Sequence, residues 1–422
     1  MNANVHVNPA AIGATGSRRT RPISTRYQWM LELLLYAYFL FSAFSHLWFY
    51  VPALSPVLFV NIALLVAVYD PMRLRWCLLP FLGVLSMLII DVTGYELDVS
   101  TIKDYMFWIV MFAVFLVLHR DPRFFERAKI FFVILLGLHL FFLERDSGGR
   151  FMLNEEAQLG VWNANDLAYA CGFAVFVSIL AFTRMRSWYR FVFLIAAFGM
   201  AMVFLGTGSR GALLALMAAG LTYLILTFWQ QRMVVMLLVI STCFAVGTWL
   251  FQDYFVDTLE LYQERLAEVE ESDYRISDRA PLMLTAIHVF FQSPWLGTGQ
   301  NIVTPREVQP NTPHNTFLIL AVHYGFLPVV LFLTLWCVLG WKLLALHLQR
   351  NTLSLGDLPY ELVSFTLFLW IMTNLSNGLM LSSFSTLYMT KILTCYNDAQ
   401  SGSITKTLAR YYGTPPRDSS TA

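Results

Sequence analysis

Long apolar runs recur from residue 28 to residue 394, and the short polar breaks between them alternate in character along the chain. About 20 residues at 1.5 Å rise cross a hydrocarbon core of ~30 Å, so runs near or above ~18 apolar residues read as spanning helices. On that basis the chain carries about twelve transmembrane helices, at 28–45, 53–69, 74–90, 105–118, 128–143, 166–182, 188–205, 211–229, 233–250, 315–340, 360–375 and 377–394. The predicted class is an all-α polytopic membrane protein. Its organisation is a polar tail at 1–27, nine helices over 28–250, one large loop with two helices at 251–313, three helices over 314–395, and a second tail at 396–422.

The breaks orient the bundle. Placing the N-terminus in the cytoplasm puts Arg73, Arg75, Arg120, Arg123, Arg127, Lys129, Arg184, Arg186, Arg190, Arg232, Lys342 and Arg350 on the inner side. The tails add Arg18, Arg19, Arg21, Arg26, Lys406, Arg410 and Arg417, and the inner end of the last span adds Lys391, so most of the 28 basic residues lie inside. An excess of Lys and Arg in cytoplasmic segments is what sets membrane orientation. The outer segments, Asp91–Asp104, Glu144–Asn165 and the loop Phe251–Pro313, are acidic or neutral by comparison.

Within the long loop every base is an arginine: Arg265, Arg275, Arg279 and Arg306. A planar guanidinium suits bidentate phosphate contacts better than an ammonium does; for Arg306 an ordinary solvated surface is an equal reading. Asp253–Glu271 reads as a polar helix. Asp278 can cap a second helix with Pro281 in its first turn, where proline is tolerated. Leu282, Met283, Ile287, Phe290 and Phe291 then share one broad face, suited to resting on a membrane surface, with His288 opposite. Ser293, Pro294, Gly297 and Gly299 end that helix, and Arg279 sits at its N-terminus, where free N–H groups favour an anion.

Composition removes the soluble classes: 57% of residues are hydrophobic and 13% charged, where a soluble domain has about 25% charged. The five cysteines are scattered through apolar runs without ligand spacing and read as small hydrophobes. The first apolar run has no convincing small-residue cleavage site and reads as a retained helix. No His/Cys/Asp cluster has ligand spacing and no outer loop holds a DxD-type doublet, so no metal or other cofactor is expected. No nucleic-acid partner is expected either.

Three polar stretches then stand out, all on the outer side: Gly206–Gly211 (GTGSRG), Arg275–Leu284 (RISDRAPLML) and Pro313–Leu318 (PHNTFL). Gly206, Gly208 and Gly211 match GxGxxG formally, but no strand precedes them, so this is not a dinucleotide motif. The informative residue is Arg210, a cation at a spanning helix on the side the orientation bias disfavours; the plainer reading is an interfacial arginine. His314 is able to accept a proton from a sugar hydroxyl near neutral pH, and helix capping is its plainer role. Asn163 and Asn165 either bind sugar hydroxyls or cap the sixth span together with Asp166. His139 and His323, inside apolar spans, read as packing or hydrogen-bonding residues. Two guanidinium groups and an imidazole on one membrane face suit transfer from a membrane-anchored phosphosugar.

The ordered set NAND, TGSRGALLAL, a long outer loop with RxxxM and then SPWLGTGQN, and PHNTFLILAVHYGFLP resembles the bacterial O-antigen ligase and O-antigen polymerase superfamily, over roughly residues 160–345. The resemblance implies an inner-membrane enzyme with both termini cytoplasmic and its site periplasmic. Such an enzyme transfers glycan from an undecaprenyl-diphosphate donor without nucleotide. It implies diphosphate-binding arginines at Arg210 and Arg279, with Arg265 a third, and an essential histidine at His314. Arg275, Ser209, Asn315, Asn163 and Asn165 join the substrate-binding candidates. Two positions depart from the pattern. Met283 stands where many relatives have tryptophan, and His323 and Tyr324 precede the glycine where many have an acid. The favoured reading is a ligase whose acceptor is lipid A-core; a polymerase using the same site, or a lipid-linked oligosaccharide transporter, are the alternatives.

Overall fold

The computed structural model describes residues 25–43, 60–63, 66, 75–94, 99–121, 123–145, 149–153, 164–185, 187–227, 279–298, 315–349, 355–375 and 383–400. These form α1 (Thr25–Ala43), α2 (Leu78–Gly94), α3 (Val99–Leu118), α4 (Phe124–His139), α5 (Ala164–Arg184) and α6 (Arg190–Gly206). After them come α7 (Arg210–Thr227), α8 (Arg279–Gln292), α9 (Thr316–Tyr324), α10 (Phe326–Leu348), α11 (Leu358–Leu375) and α12 (Ser383–Gln400). The protein is helical. Helices α5, α7, α10 and α11 are each long and apolar enough to cross a membrane. The predicted spans at 53–69 and 233–250 fall mostly or wholly outside the described residues, as does the predicted helix Asp253–Glu271.

Helix α5 is the central element. It packs against α4, α6 and α7, while α7 also packs along α11. Small residues allow this: Ala212, Ala215 and Ala219 form the buried stripe of α7, and Gly172 lets the rings of Phe204 and Phe368 approach α5. The remaining core is aromatic. Phe365 and Tyr388 have ring centroids 3.9 Å apart, Phe173 and Phe384 4.4 Å. Trp108 donates from Nε1 to Thr386 Oγ1 at 3.0 Å, tying α3 to α12. Cys171 and Cys395 are buried as expected, but Cys337 is exposed on α10.

Two features differ from the sequence expectation. A short antiparallel hairpin, β1 (Leu143–Arg145) and β2 (Phe151–Leu153), is added to the all-α picture. Asp-Ser-Gly-Gly between the strands is turn composition, and Arg145 lies over the Phe151 ring at 5.1 Å. The tenth predicted span, 315–340, is not one helix. It is broken at Gly325, whose φ of 74° and ψ of −165° no other residue adopts comfortably. The nine-residue α9 is too short to cross, whereas the 23 residues of α10 extend about 34 Å and suffice.

A buried ionic cluster holds the end of the bundle where α5 finishes and α11 starts. Glu361 of α11 is fully buried and accepts from three other helices. The donors are Lys129 Nζ at 2.6 Å, Arg184 Nη1 at 2.5 Å and Tyr388 Oη at 2.9 Å. Nearby, Arg127 grips Glu32 through Nε at 2.7 Å and Nη2 at 2.6 Å, joining α4 to α1. Buried charges persist where they are paired and hydrogen-bonded, and these are.

Candidate functional site

Of the predicted site residues, Asn165, Ser209, Arg210 and Asn315 lie at the opposite end of the bundle, where α5, α7 and α9 start. Helix α6 stops at Gly206 and α7 opens at Arg210, so the chain reverses within Thr207–Ser209. Gly208 supplies the left-handed residue, at φ 61°. Thr207 donates its hydroxyl to Phe204 O at 2.6 Å, and its Oγ1 accepts from Ser209 N at 3.4 Å. The Ser209 carbonyl begins the next ladder by accepting from Leu213 N at 3.1 Å. Thr207 and Ser209 are buried, and Arg210 is exposed at the helix start. Its position adds a side-chain cation to backbone N–H groups that already favour anions.

The same turn holds a guanidinium that the sequence reading did not single out. Arg150, just before β2, donates from Nε to Thr207 O at 2.7 Å and from Nη2 to Asn165 Oδ1 at 3.1 Å. It therefore joins the hairpin, the GTGSRG turn and the first turn of α5. Arg150 belongs to the segment Glu144–Asn165 that the sequence analysis expects on the outer side, so the signal that picked out Arg210 applies equally to it. Asn165 is thus engaged by a side chain, and Asn163 lies outside the described residues.

Asn315 occupies the N-cap of α9, with φ −137° and ψ 111°. Its Oδ1 accepts from Leu318 N at 3.0 Å, and its Nδ2 donates to Asn374 Oδ1 at 3.3 Å. Asn374 is the penultimate residue of α11. The last, Leu375, packs over Gly211, where an added Cβ would lie 3.4 Å from Leu375 Cδ1. Two adjacent residues of α11 therefore meet the start of α7, beside Arg210, and the start of α9. Asn374 is a second contributor that the sequence reading missed; a polar residue at the end of an apolar span was its signal.

The break at Gly325 fixes α8 to α9. In a continuous helix the Val322 carbonyl would accept from Phe326 N. Here the turn after α8 is inserted between them. Phe326 N donates to Pro294 O at 2.8 Å, and Thr298 N donates to Val322 O at 2.7 Å, with Thr298 Oγ1 on the same carbonyl at 3.1 Å. The fit needs two glycines without side chains. A Cβ on Gly297 would lie 2.3 Å from His323 O, and one on Gly325 2.4 Å from Trp295 O. The expected helix start at Arg279 agrees with α8, which ends at Gln292. Its Ala286 is buried while Ile287 and Phe291 are exposed, and so is His288. His314, Arg265 and Arg275 lie outside the described residues. His139 is buried, with Nδ1 2.6 Å from Leu135 O, a hydrogen-bonding role as expected.

Residues 195–333 match the family model described as O-antigen ligase. That stretch runs from α6 into α10 and contains the GTGSRG turn, the whole long loop, and the α9–α10 break. The match supports the O-antigen ligase and polymerase superfamily, whose members are glycosyltransferase-like enzymes working on lipid-linked glycans in a bilayer. No curated protein matches the chain.

Proposed function

We propose that this protein is a glycosyltransferase of the O-antigen ligase type, moving a glycan from undecaprenyl diphosphate to a lipid A-core acceptor at the periplasmic face of the inner membrane. Arg210 and Arg279 bind the donor diphosphate, helped by Arg265 and Arg275, and Ser209, Asn163, Asn165 and Asn315 contact sugar or phosphate. His314 takes the proton from an acceptor hydroxyl. The acceptor oxygen attacks the anomeric carbon from the face opposite the diphosphate, and a new C–O bond forms with inversion. The bond to the diphosphate breaks, its electron pair leaves with undecaprenyl diphosphate, and the guanidinium groups neutralise the growing charge. The donor carries its own leaving group, so neither ATP nor a metal ion is required.

One observation carries this reading. The start of α7 at Gly211 and the start of α9 at Asn315 both contact the final residues of α11, Leu375 and Asn374. Arg210 precedes the first of these contacts directly, and His314 precedes Asn315 in sequence. Helix α8, which Arg279 opens, is tied to α9 through Thr298 and Val322. The starts of α7 and α9 thus meet the same end of α11, and the turn after α8 is bonded to the last turn of α9.

A broken spanning helix is also found in transporters, where the freed backbone groups coordinate substrate. At Gly325 those groups are instead satisfied by the 294–298 turn, which favours a structural clamp. The test uses purified protein with a synthetic polyprenyl-diphosphate glycan and lipid A-core, without ATP or metal. Coupled product supports the ligase. Chain extension that needs no lipid A-core assigns a polymerase, and transbilayer movement with neither product assigns a transporter.

A further inference from the structure

We propose that the groove between α4 and α6 seats the isoprenoid tail of the donor, with Arg150 at its mouth; this deepens the reading above and rests on it. The groove has a volume of about 340 Å3 and is lined only by apolar residues, among them Ile134, Gly137, Leu140, Ala196, Gly199 and Met200. Protein interiors are close-packed, yet a Cβ on Gly199 would meet nothing within 4 Å, and one on Gly137 would meet only the Met200 methyl at 3.6 Å. Glycines on two facing helices keep the space open. Helix α5 packs against both α4 and α6. On the other side Ile134 is 57% exposed and Ile195 73%, so the groove opens on the outside of the bundle. In a chain of this composition that side meets lipid, and an alkyl chain is the matching occupant.

Charge at one end of the groove selects which alkyl chain. Thr207 follows Met200 by seven residues along α6, a rise of about 10 Å. At that level Arg150 donates to Thr207 O and Asn165 Oδ1, and Arg210 begins α7 three residues further on. On the other wall, α4 ends one residue before Leu140, and the hairpin carrying Arg150 starts at Leu143. An apolar furrow whose α6 wall leads on to the turn held by Arg150 and followed by Arg210 suits an amphiphile with one long hydrocarbon tail and a diphosphate head. A phospholipid offers two chains and one phosphodiester charge, a poorer match on both counts.

The experiment uses the full chain in nanodiscs with tritiated undecaprenyl diphosphate as probe. A photoreactive benzoylphenylalanine replaces Ile134 in the groove or, as control, Ile225 on α7, which is 57% exposed elsewhere. The proposal expects light-dependent labelling at position 134, absent at 225, that unlabelled undecaprenyl diphosphate suppresses and excess phosphatidylglycerol does not. Equal labelling at both positions, or suppression by phosphatidylglycerol, overturns it in favour of bulk lipid. Gly199→Leu places a side chain in the open furrow while raising helix propensity. Loss of tail contact worth about two methylenes raises the donor KM roughly tenfold with kcat unchanged. An unchanged KM overturns the proposal. If the probe binds saturably but labels away from the groove, only the groove assignment falls; if it does not bind saturably at all, the donor assignment falls too.

Discussion

Replacing Gly325 by alanine asks the α9–α10 break to accept a side chain it has no room for. At φ 74° and ψ −165° the backbone lies in a region that costs a non-glycine residue about 1–3 kcal/mol. The new Cβ would stand 2.4 Å from the Trp295 carbonyl oxygen, so the 294–298 turn must move away. That motion removes the Phe326 N to Pro294 O and Thr298 N to Val322 O bonds, each worth about 1 kcal/mol net. The broken form is therefore disfavoured by about 3–5 kcal/mol, roughly two to three and a half powers of ten in population. Alanine is also the best helix former, and a continuous helix restores the Val322 to Phe326 bond within itself. The expected outcome is a straightened helix with the α8 turn released. Hydrogen exchange of the purified protein, read on peptides containing Thr298, should show that amide exchanging roughly a hundredfold to a few thousandfold faster. Gly297→Ala strains the same clamp from the other side, at φ 67°, and should expose the same amide. Wild-type protection of Thr298 in both variants would refute the reasoning.

Glu361→Ala leaves Lys129 and Arg184 with only the half-buried Glu126 carboxylate beside them, a loss of about 3 kcal/mol; the melting temperature in detergent should fall sharply, and an unchanged value would show the cluster to be dispensable. Asn315→Ala removes an N-cap worth about 1 kcal/mol and the contact to Asn374. Transfer should fall much more than stability does, and a variant losing stability alone would make Asn315 only a cap. Arg210→Lys keeps the charge but loses the fork, so transfer should drop about a hundredfold; wild-type turnover would reduce Arg210 to a point charge or a bystander.

Hydropathy made the long helices legible because a bilayer demands continuous apolar surface: the predicted 166–182, 211–229 and 360–375 sit within or close to α5, α7 and α11. It did not reveal the break at Gly325, because α9 and α10 are both apolar and a sliding pattern joins them. Only the backbone bonds to Pro294 and Thr298, some thirty residues earlier, define that interruption. Arg210 and Asn315 were legible as polar residues where apolar ones prevail. Arg150 was hidden in an outer segment read as acidic or neutral, since its meaning lies in the contact with Thr207 rather than in any local motif. Likewise Lys129 reads in sequence only as one of the inner basic residues, and only packing joins it to Glu361 in one buried cluster.

The central claim is that an imidazole beside the α9 cap performs the proton transfer while separate guanidinium groups hold the donor. The most direct test measures donor binding and single-turnover transfer together in His314→Ala, with protein, polyprenyl-diphosphate glycan and lipid A-core reconstituted. The account predicts donor affinity near wild type and a transfer rate lower by about 10²–10⁴-fold. Transfer at close to the wild-type rate in that variant would contradict it.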